Sequence, residues 1–290
     1  MPNSVQKGQK WASVLQSQLR ESFVGSMISD TKFEGMFDRA DTVHFTRQAK
    51  ITLGNMVSSY DEVPVQDIVQ TDETFTPVTR KAFSVQVSDE DYKIINVSPD
   101  SQIMQDAKEA FAAAYDDAIF AQYTAAGITF TDSDMSTASN GGGTNSVTVS
   151  KSNIYDLITG VAMKLDQANV PDSNRWIVLD PKRKRYLLNA PELVRDTTLG
   201  DNVVTGGTIG TVDNIKIYWS NRLVLATSVY ALAGQGKPIC FAAITKPNVQ
   251  FVGSETQANN FVNFMKASSR YGAKVFSEGA ERLMSIKLTA

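Results

Sequence analysis

Apolar residues recur at steps of three and four along two stretches of this chain and alternate with polar residues along several others. Between Ser98 and Gly127, alanines 107, 110, 114, 118 and 121 fall at helical spacing, flanked by Phe111, Tyr115 and Ile119. Ser98 suits an N-cap, Pro99 the first helical position, and Gly127 a stop. A helix of that length reaches about 40 Å, against an expected radius of gyration of about 19 Å for a compact chain of this size. It predicts an elongated molecule whose alanine stripe lets a sheet or second helix approach closely. A second helix begins at Ser152, with Ile154, Leu157, Ile158, Val161, Leu165 and Ala168 on one face and Pro171 closing it. Trp176–Leu179 and Ile215–Trp219 read as strands, and Asp180-Pro181 opens a short helix running to about Asn189. Ile239–Ile244 is wholly apolar, a strand buried on both faces. Met284, Ile286 and Leu288 alternate with Ser285 and Lys287 at the end.

The segment from 40 to 95 follows a different pattern. Phe83, Val85 and Val87 share one face of a strand, and Val43 and Phe45 alternate with His44 and Thr46. Between these two strands, Ile51 to Thr79 is largely polar and is punctuated by Gly54, Pro64 and Pro77. The expectation is a hairpin with strand arms at 43–46 and 82–88 and a polar tip. Such a hairpin is too thinly apolar to bury itself and needs another surface. Ahead of it, Trp11, Val14, Leu15 and Leu19, continued by Phe23, Val24, Met27 and Ile28, predict an amphipathic arm.

Composition narrows the chemistry. The 290 residues carry 28 Lys plus Arg against 31 Asp plus Glu, a net charge of −3, which does not suit a strongly basic nucleic-acid clamp. One cysteine (Cys240) and one histidine (His44) exclude an internal disulfide framework, Cys-cluster metal sites and multi-His zinc sites. The longest apolar runs, Ala110–Tyr115 and Ile239–Ile244, are six residues each, where a membrane span needs about 20. No membrane partner is expected, and the chain reads as soluble.

The catalytic motifs fail on inspection. Gly234-Gln235-Gly236-Lys237 would be a phosphate loop, but its first glycine position holds Ala231 and Pro238 follows the lysine. Gly207 and Gly210 approximate a dinucleotide fingerprint whose first position is Thr205. Asp132-Ser133-Asp134 opens like a calcium loop, yet Thr137 stands at its sixth position and Gly143 at its twelfth. His44 reads as an edge histidine and Cys240 as an inert core thiol. The adjacent carboxylates Asp61-Glu62 and Asp116-Asp117 diverge along the chain, so neither pair forms an acid–base couple. Lys182-Arg183-Lys184-Arg185 is the one charge run, read as the solvated face of a short helix or as a meeting point with a neighbour's carboxylates. No catalytic residue, cofactor or metal ligand is expected.

What remains is an order of elements: arm, unsupported hairpin, long helix, α/β middle. In that order the chain resembles the major capsid proteins of tailed double-stranded DNA bacteriophages, the Hong Kong ninety-seven fold. Phe33-Glu34-Gly35 and Arg39-Ala40-Asp41 precede the hairpin as the N-arm precedes the family's E-loop. Ser98–Gly127 is similar to its spine helix, and Arg175-Trp176-Ile177-Val178-Leu179-Asp180-Pro181 to a strand and helix start of its axial domain.

The resemblance implies an α+β fold: an N-arm over 1–38, an E-loop hairpin and start of the peripheral (P) domain over 39–95, and the P domain with its spine over 96–150. An axial (A) domain over 151–244 and a return to the P-domain sheet over 245–290 complete it. It implies a non-enzymatic subunit that self-assembles through pentamers and hexamers into an icosahedral shell around phage double-stranded DNA. Its implied partners are copies of itself, a separate scaffolding protein, a portal protein and DNA held without sequence readout. It implies assembly in the host cytoplasm. With about 40 residues ahead of the hairpin, no scaffold domain is expected there. Candidate intersubunit contacts are Arg47, Lys50, Asp61, Glu62, Lys81, Lys182, Arg183, Lys184 and Arg185. An isopeptide crosslink between Lys50 or Lys81 and Asn248 is not expected. The competing readings are an encapsulin shell of the same fold, a soluble α/β enzyme using the Gly206-Gly207 amides, and a phage neck or tail adaptor.

Overall fold

The computed structural model describes residues 24–37, 40–51, 53, 65, 67–88, 100–136, 145–190, 211–225, 228–245, 250–252 and 262–289. The predicted arm helix around Trp11 to Leu19, the caps Ser98 and Pro99, the Gly141–Gly143 turn, the Gly206-Gly207 loop, Asp61, Glu62 and Asn248 lie outside them.

Two sheets and one hairpin organise the chain. After a helical turn α1 (Gly25–Ile28), β1 (Ser29–Asp30) runs parallel to β12 (Ile239–Thr245). β12 lies antiparallel to β14 (Val262–Val275), which also pairs with β13 (Gln250–Val252) and β4 (Thr79–Ser88). The second sheet has the order β5 (Ile128–Phe130), β15 (Leu283–Leu288), β11 (Ser228–Gln235), β7 (Arg175–Leu179), β9 (Ile215–Trp219), β8 (Thr211–Val212). β6 (Ser146–Val147) adds to β15 and β10 (Val224–Leu225) to β11. The hairpin is β2 (Val43–Gln48) against β3 (Gln70–Phe75).

The all-apolar β12 is buried from Ile239 to Ala243, and the alternation of its side chains explains why. Ile239, Phe241 and Ala243 join the main core, whereas Cys240 and Ala242 join a smaller one with Phe37 and Phe75. One strand thus separates two apolar layers. Over the first layer lies the long helix α2 (Asp100–Phe120), 21 residues and about 32 Å. Its Tyr115 ring packs on Phe241 and Tyr271, with centroids 5.1 and 4.7 Å away, and its hydroxyl is 2.6 Å from Ser269 Oγ. The alanine stripe is only partly the packing face. Ala107 and Ala114 are buried, but Ala110 and Ala121 are exposed, because the 3.6-residue turn carries the buried face through Phe111 instead.

The α-helix stops at Phe120, short of the expected Gly127, and a 3-10 turn over Ala121–Ala125 follows; Gly127 is required by a close approach instead. Its N–H donates to Ala280 O at 3.0 Å, and a Cβ there would sit 2.5 Å from that same oxygen.

Helix α3 (Ile154–Gln167) buries Ile154, Leu157, Ile158, Val161 and Leu165, the predicted face. Ala168 is exposed instead, since Asn169 turns left-handed (φ 56°) and Val170 N–H returns to Leu165 O at 3.0 Å. α4 (Pro181–Leu188) follows β7, with Asp180 at its N-cap position.

Two expectations need correction. The arm at 82–88 does not pair with 43–48; it belongs to β4, bonded to β14, and the hairpin's true second strand is β3. β3 reads Gln-Thr-Asp-Glu-Thr-Phe, so its single buried apolar residue, Phe75, gave no periodic signal, and Pro77 breaks the chain before β4. Sheet membership also cuts across the expected division at 244/245. β12 lies in the first sheet with β14, while β15 leaves that sheet for the interior of the second, between β5 and β11.

Candidate assembly surfaces

The hairpin is anchored at its root and bare beyond it. At the root, Phe45 packs on Phe33 and Phe276, and Phe75 on Phe37, with centroids 4.6–5.4 Å apart. Polar contacts surround this aromatic cluster. Arg270 donates to Pro77 O (2.9 Å) and to Asp41 (2.7 Å), and Lys274 to Thr74 O. Glu73 accepts the N–H and hydroxyl of Ser277, at the start of α5 (Ser277–Ala280). The Ser277 hydroxyl holds the Glu73 carboxyl below its ordinary range, with smaller help from the Ser277 amide. His44 Nδ1 lies 2.6 Å from Asp72 Oδ2, both side chains more than half exposed, as an edge histidine should.

Beyond the root the hairpin exposes Ile51 (79%), Leu53 (96%), Val65 (94%), Ile68 (72%) and Val69 (58%). Isolated surface aliphatics need no explanation, but five concentrated on one stretch of the chain do. The sequence from 51 to 69 also carries Asp61, Glu62 and Asp67 with no Lys, Arg or His. The arm is apolar and acidic.

A surface of opposite charge lies elsewhere on the same subunit. Among the described residues β4 pairs only with β14, so its other edge is open. Arg80 and Lys81 are exposed along it. Between this strand and α2 runs an open groove of about 360 Å³ floored by Phe83, Val85, Ala107, Ala110 and Phe111, with Lys81 and Asp106 also in its lining. Phe83 and Phe111 are in contact there, with centroids 6.0 Å apart.

The predicted contact residues fall into distinct groups. Arg47 and Lys50 both reach Glu281, at 2.8 and 3.3 Å, and the Arg47 hydrogen bond is the main reason the Glu281 carboxyl titrates low. Lys81 is exposed on the β4 edge. The basic run does not form one solvated face. Lys182 and Arg185 are exposed and Lys184 is half-buried, but Arg183 is only 2% exposed. Arg183 donates to Asp180 Oδ2 (2.8 Å) and to the Thr289 carbonyl, clamping the last strand to α4. Four consecutive charges on a helix cannot share one side, and the third helical residue turned inward.

Sequence reasoning missed the anchoring acids. Asp116 is buried on the spine and accepts the amides of Val24 and Gly25, both at 3.1 Å. Its neighbour Asp117 pairs instead with Arg222 at 3.1 Å, so the two carboxylates do diverge. Glu73 and Glu281 carried no signal, because their partners lie about 200 residues away in sequence. Among the described residues no group of acids, histidine and cysteine could hold a metal ion, and no helix is long and apolar enough to cross a membrane.

Comparison with known proteins agrees with this architecture. Residues 71–282 match the phage capsid protein family. No curated protein matches the chain. Among solved structures, one from Mycobacterium phage Che8 superposes with a TM-score of 0.81 at 19% identity, covering 98% of each chain. The capsid of Cyanophage P-SCSP1u gives 0.73 at 14% identity, covering 100% of this chain and 97% of that one. The mature capsid of bacteriophage PhiM1 gives 0.71 at 13%, covering 98% and 92%. At these identities the structures establish the shared fold, and the sequence match extends over most of the chain. The chain belongs to the phage capsid protein family, as a structural protein with the fold of the tailed-phage capsid proteins.

Proposed function

We propose that this subunit assembles through pentamers and hexamers into an icosahedral shell around phage double-stranded DNA, each hairpin lying on the β4–α2 face of the next subunit. The observation that supports this most is the presence on one molecule of an apolar, acidic arm and an apolar groove beside the open β4 edge with its exposed Arg80 and Lys81. A head-to-tail contact of this kind forms a closed ring when the rotation between neighbours closes. Burying each of the five exposed aliphatics contributes roughly 1.5–3 kcal/mol before ordering costs. Many modest contacts per subunit, repeated, hold a shell without any one strong pair.

In this reading residues 1–38 are the arm, 39–95 the E-loop and its return, 96–150 the spine region, and 151–244 the domain around the ring axis. Residues 245–290 return to the spine sheet and end as the crossover strand β15. Lys182, Lys184 and Arg185 then face neighbouring carboxylates around the ring. A separate scaffolding protein and a portal take part in assembly in the host cytoplasm, and DNA is held through its backbone without base readout. Electron microscopy of the purified protein tests the reading. Closed shells built from five- and six-subunit capsomers are expected; a lone ring or a persistent monomer under all assembly conditions would overturn it.

A further inference from the structure

Arg80 and Lys81 adjoin in sequence but stand on opposite faces of their sheet. Side chains alternate along β4, so Lys81 lies with Phe83 and Val85 on the side of α2 and lines the groove there. Arg80 lies on the other side, directly across from Arg270 of β14, on the same face as the cross-strand pair Ser84 and Lys266. A second open groove, of about 600 Å³, has Ala82, Ser84, Lys266, Ser268 and Gln250 in its lining. Each face of this strand thus carries a groove and a cation.

The strand between the grooves is open. From Thr79 to Gln86 every residue is exposed except the half-buried Phe83, and among the described residues nothing pairs with the outer edge. Neither β4 nor β14 contains an aspartate or glutamate. A long open edge is a template for another strand, and the charges on it decide which strand is admitted. A second β4 would set Arg80 and Lys81 against their own kind. Residues 1–23, with Lys7, Lys10 and Arg20 against Glu21, are cationic as well. The stretch 51–69, with Asp61, Glu62 and Asp67 and no cation, has the complementary sign.

We infer that residues 61–67 of a second copy add to the open edge of β4 as a further strand, with carboxylates against Lys81 on one face and against Arg80 and Lys266 on the other. The inference rests on the proposed docking of the hairpin and supplies its mode. An arm lying only in the α2-side groove would meet Lys81 and miss the other two cations. A chain that is itself a strand of the sheet presents side chains to both faces at once. Asp61 and Glu62 are consecutive, as Arg80 and Lys81 are, so in a strand they too point to opposite faces, whichever way the strand runs. Pro64 is compatible, because the added strand becomes the new edge and its outward N–H positions need no partner. Main-chain hydrogen bonds then hold the arm, and the cations select it.

Hydrogen exchange resolved to single residues, compared between assembled particles and unassembled subunits, separates this mode from the docking itself. Every second amide of β4 points away from β14 and exchanges fast in the unassembled subunit. On assembly these outward amides should slow at least about tenfold, together with residues 67–70. Slowing at 67–70 without slowing of the outward β4 amides would overturn strand addition and leave the docking standing; slowing at neither would remove both. The cations are tested by Arg80→Gln with Lys266→Gln, both exposed positions, in the full chain. The ratio of capsomers to subunits should fall severalfold at low salt, with most of the difference gone at high salt, while exchange across 107–119 of the unassembled subunit is unchanged. A ratio equal to the parent's at low salt would overturn the placing of carboxylates on that face.

Discussion

Gly25 stands so close to Asp116 that a Cβ at this position would lie 2.4 Å from the carboxylate oxygen and 2.8 Å from Ile119 Cδ1. The same carboxylate accepts the Gly25 amide, so α1 is tied to the C-terminal part of the spine by a contact that leaves no room for a Cβ unless the Asp116 and Ile119 side chains shift. Gly25→Ala should cost about 1–3 kcal/mol through overpacking. Urea unfolding of the unassembled subunit measures this, and parent-like stability would place Gly25 away from the spine.

Asp116 and the hairpin acids should respond to pH in opposite directions. Burial outweighs two amide hydrogen bonds and raises the Asp116 carboxyl above 3.8. A raised folded value means the folded state takes up the proton first, so this group favours folding more as pH falls towards 3.8 and less as pH rises through its folded value. Asp116→Asn should remove that component from the pH profile of stability; an unaltered profile would contradict it.

Glu73 and Glu281 are lowered from 4.5, chiefly by Ser277 and Arg47 respectively. Their contribution is present above 4.5 and is lost as pH falls through the lowered folded values. Between about pH 5 and pH 3 the hairpin strands should therefore lose exchange protection before β7 does. Simultaneous loss in both would show that these two acids do not hold the hairpin root.

Arg183 and Arg185 separate a structural charge from a surface one. Arg183→Gln leaves the Thr289 carbonyl and Asp180 without their donor and should cost about 1–3 kcal/mol, whereas Arg185→Gln should leave subunit stability within about 0.5 kcal/mol. If Arg185 faces a neighbour's carboxylate, its variant should instead lower the ratio of capsomers to subunits at low salt and show little further effect at high salt. Equal thermal stability of the two variants would refute the assignment of Arg183.

Burial raises the Cys240 thiol from 9.0 to about 12, with Asp30 adding to the effect. At pH 8 this cuts the thiolate fraction by about a thousandfold relative to an exposed thiol. A disulfide reagent should label it only on unfolding; rapid labelling of the folded subunit would show that β12 is not sandwiched between two layers.

The sequence was most legible where a periodic apolar pattern coincides with burial on the structure's own terms. Ile239–Ala243 and the face of α3 were readable because every position in them answers to the core. The hairpin was readable as a hairpin but not in its pairing. β4 alternates because it covers α2, whereas β3 is polar and held by Glu73 and Phe75 at single points. Composition shows Arg183 as one of four like charges; only the position of the last strand shows that it has turned inward. The contacts of residues 276–282 left no local trace, since they come from residues 47, 50, 73, 127 and 238.

The central claim is that the arm beyond the hairpin root is covered by another subunit. Hydrogen exchange at residues 67–70, compared between assembled particles and unassembled subunits of the same preparation, tests it most directly. Ile68 and Val69 are exposed in the single chain, so their amides should be slowed at least about tenfold on assembly while β7 is unchanged. Equal exchange in both states would mean that the arm projects uncovered from the shell and that the subunits are held together elsewhere.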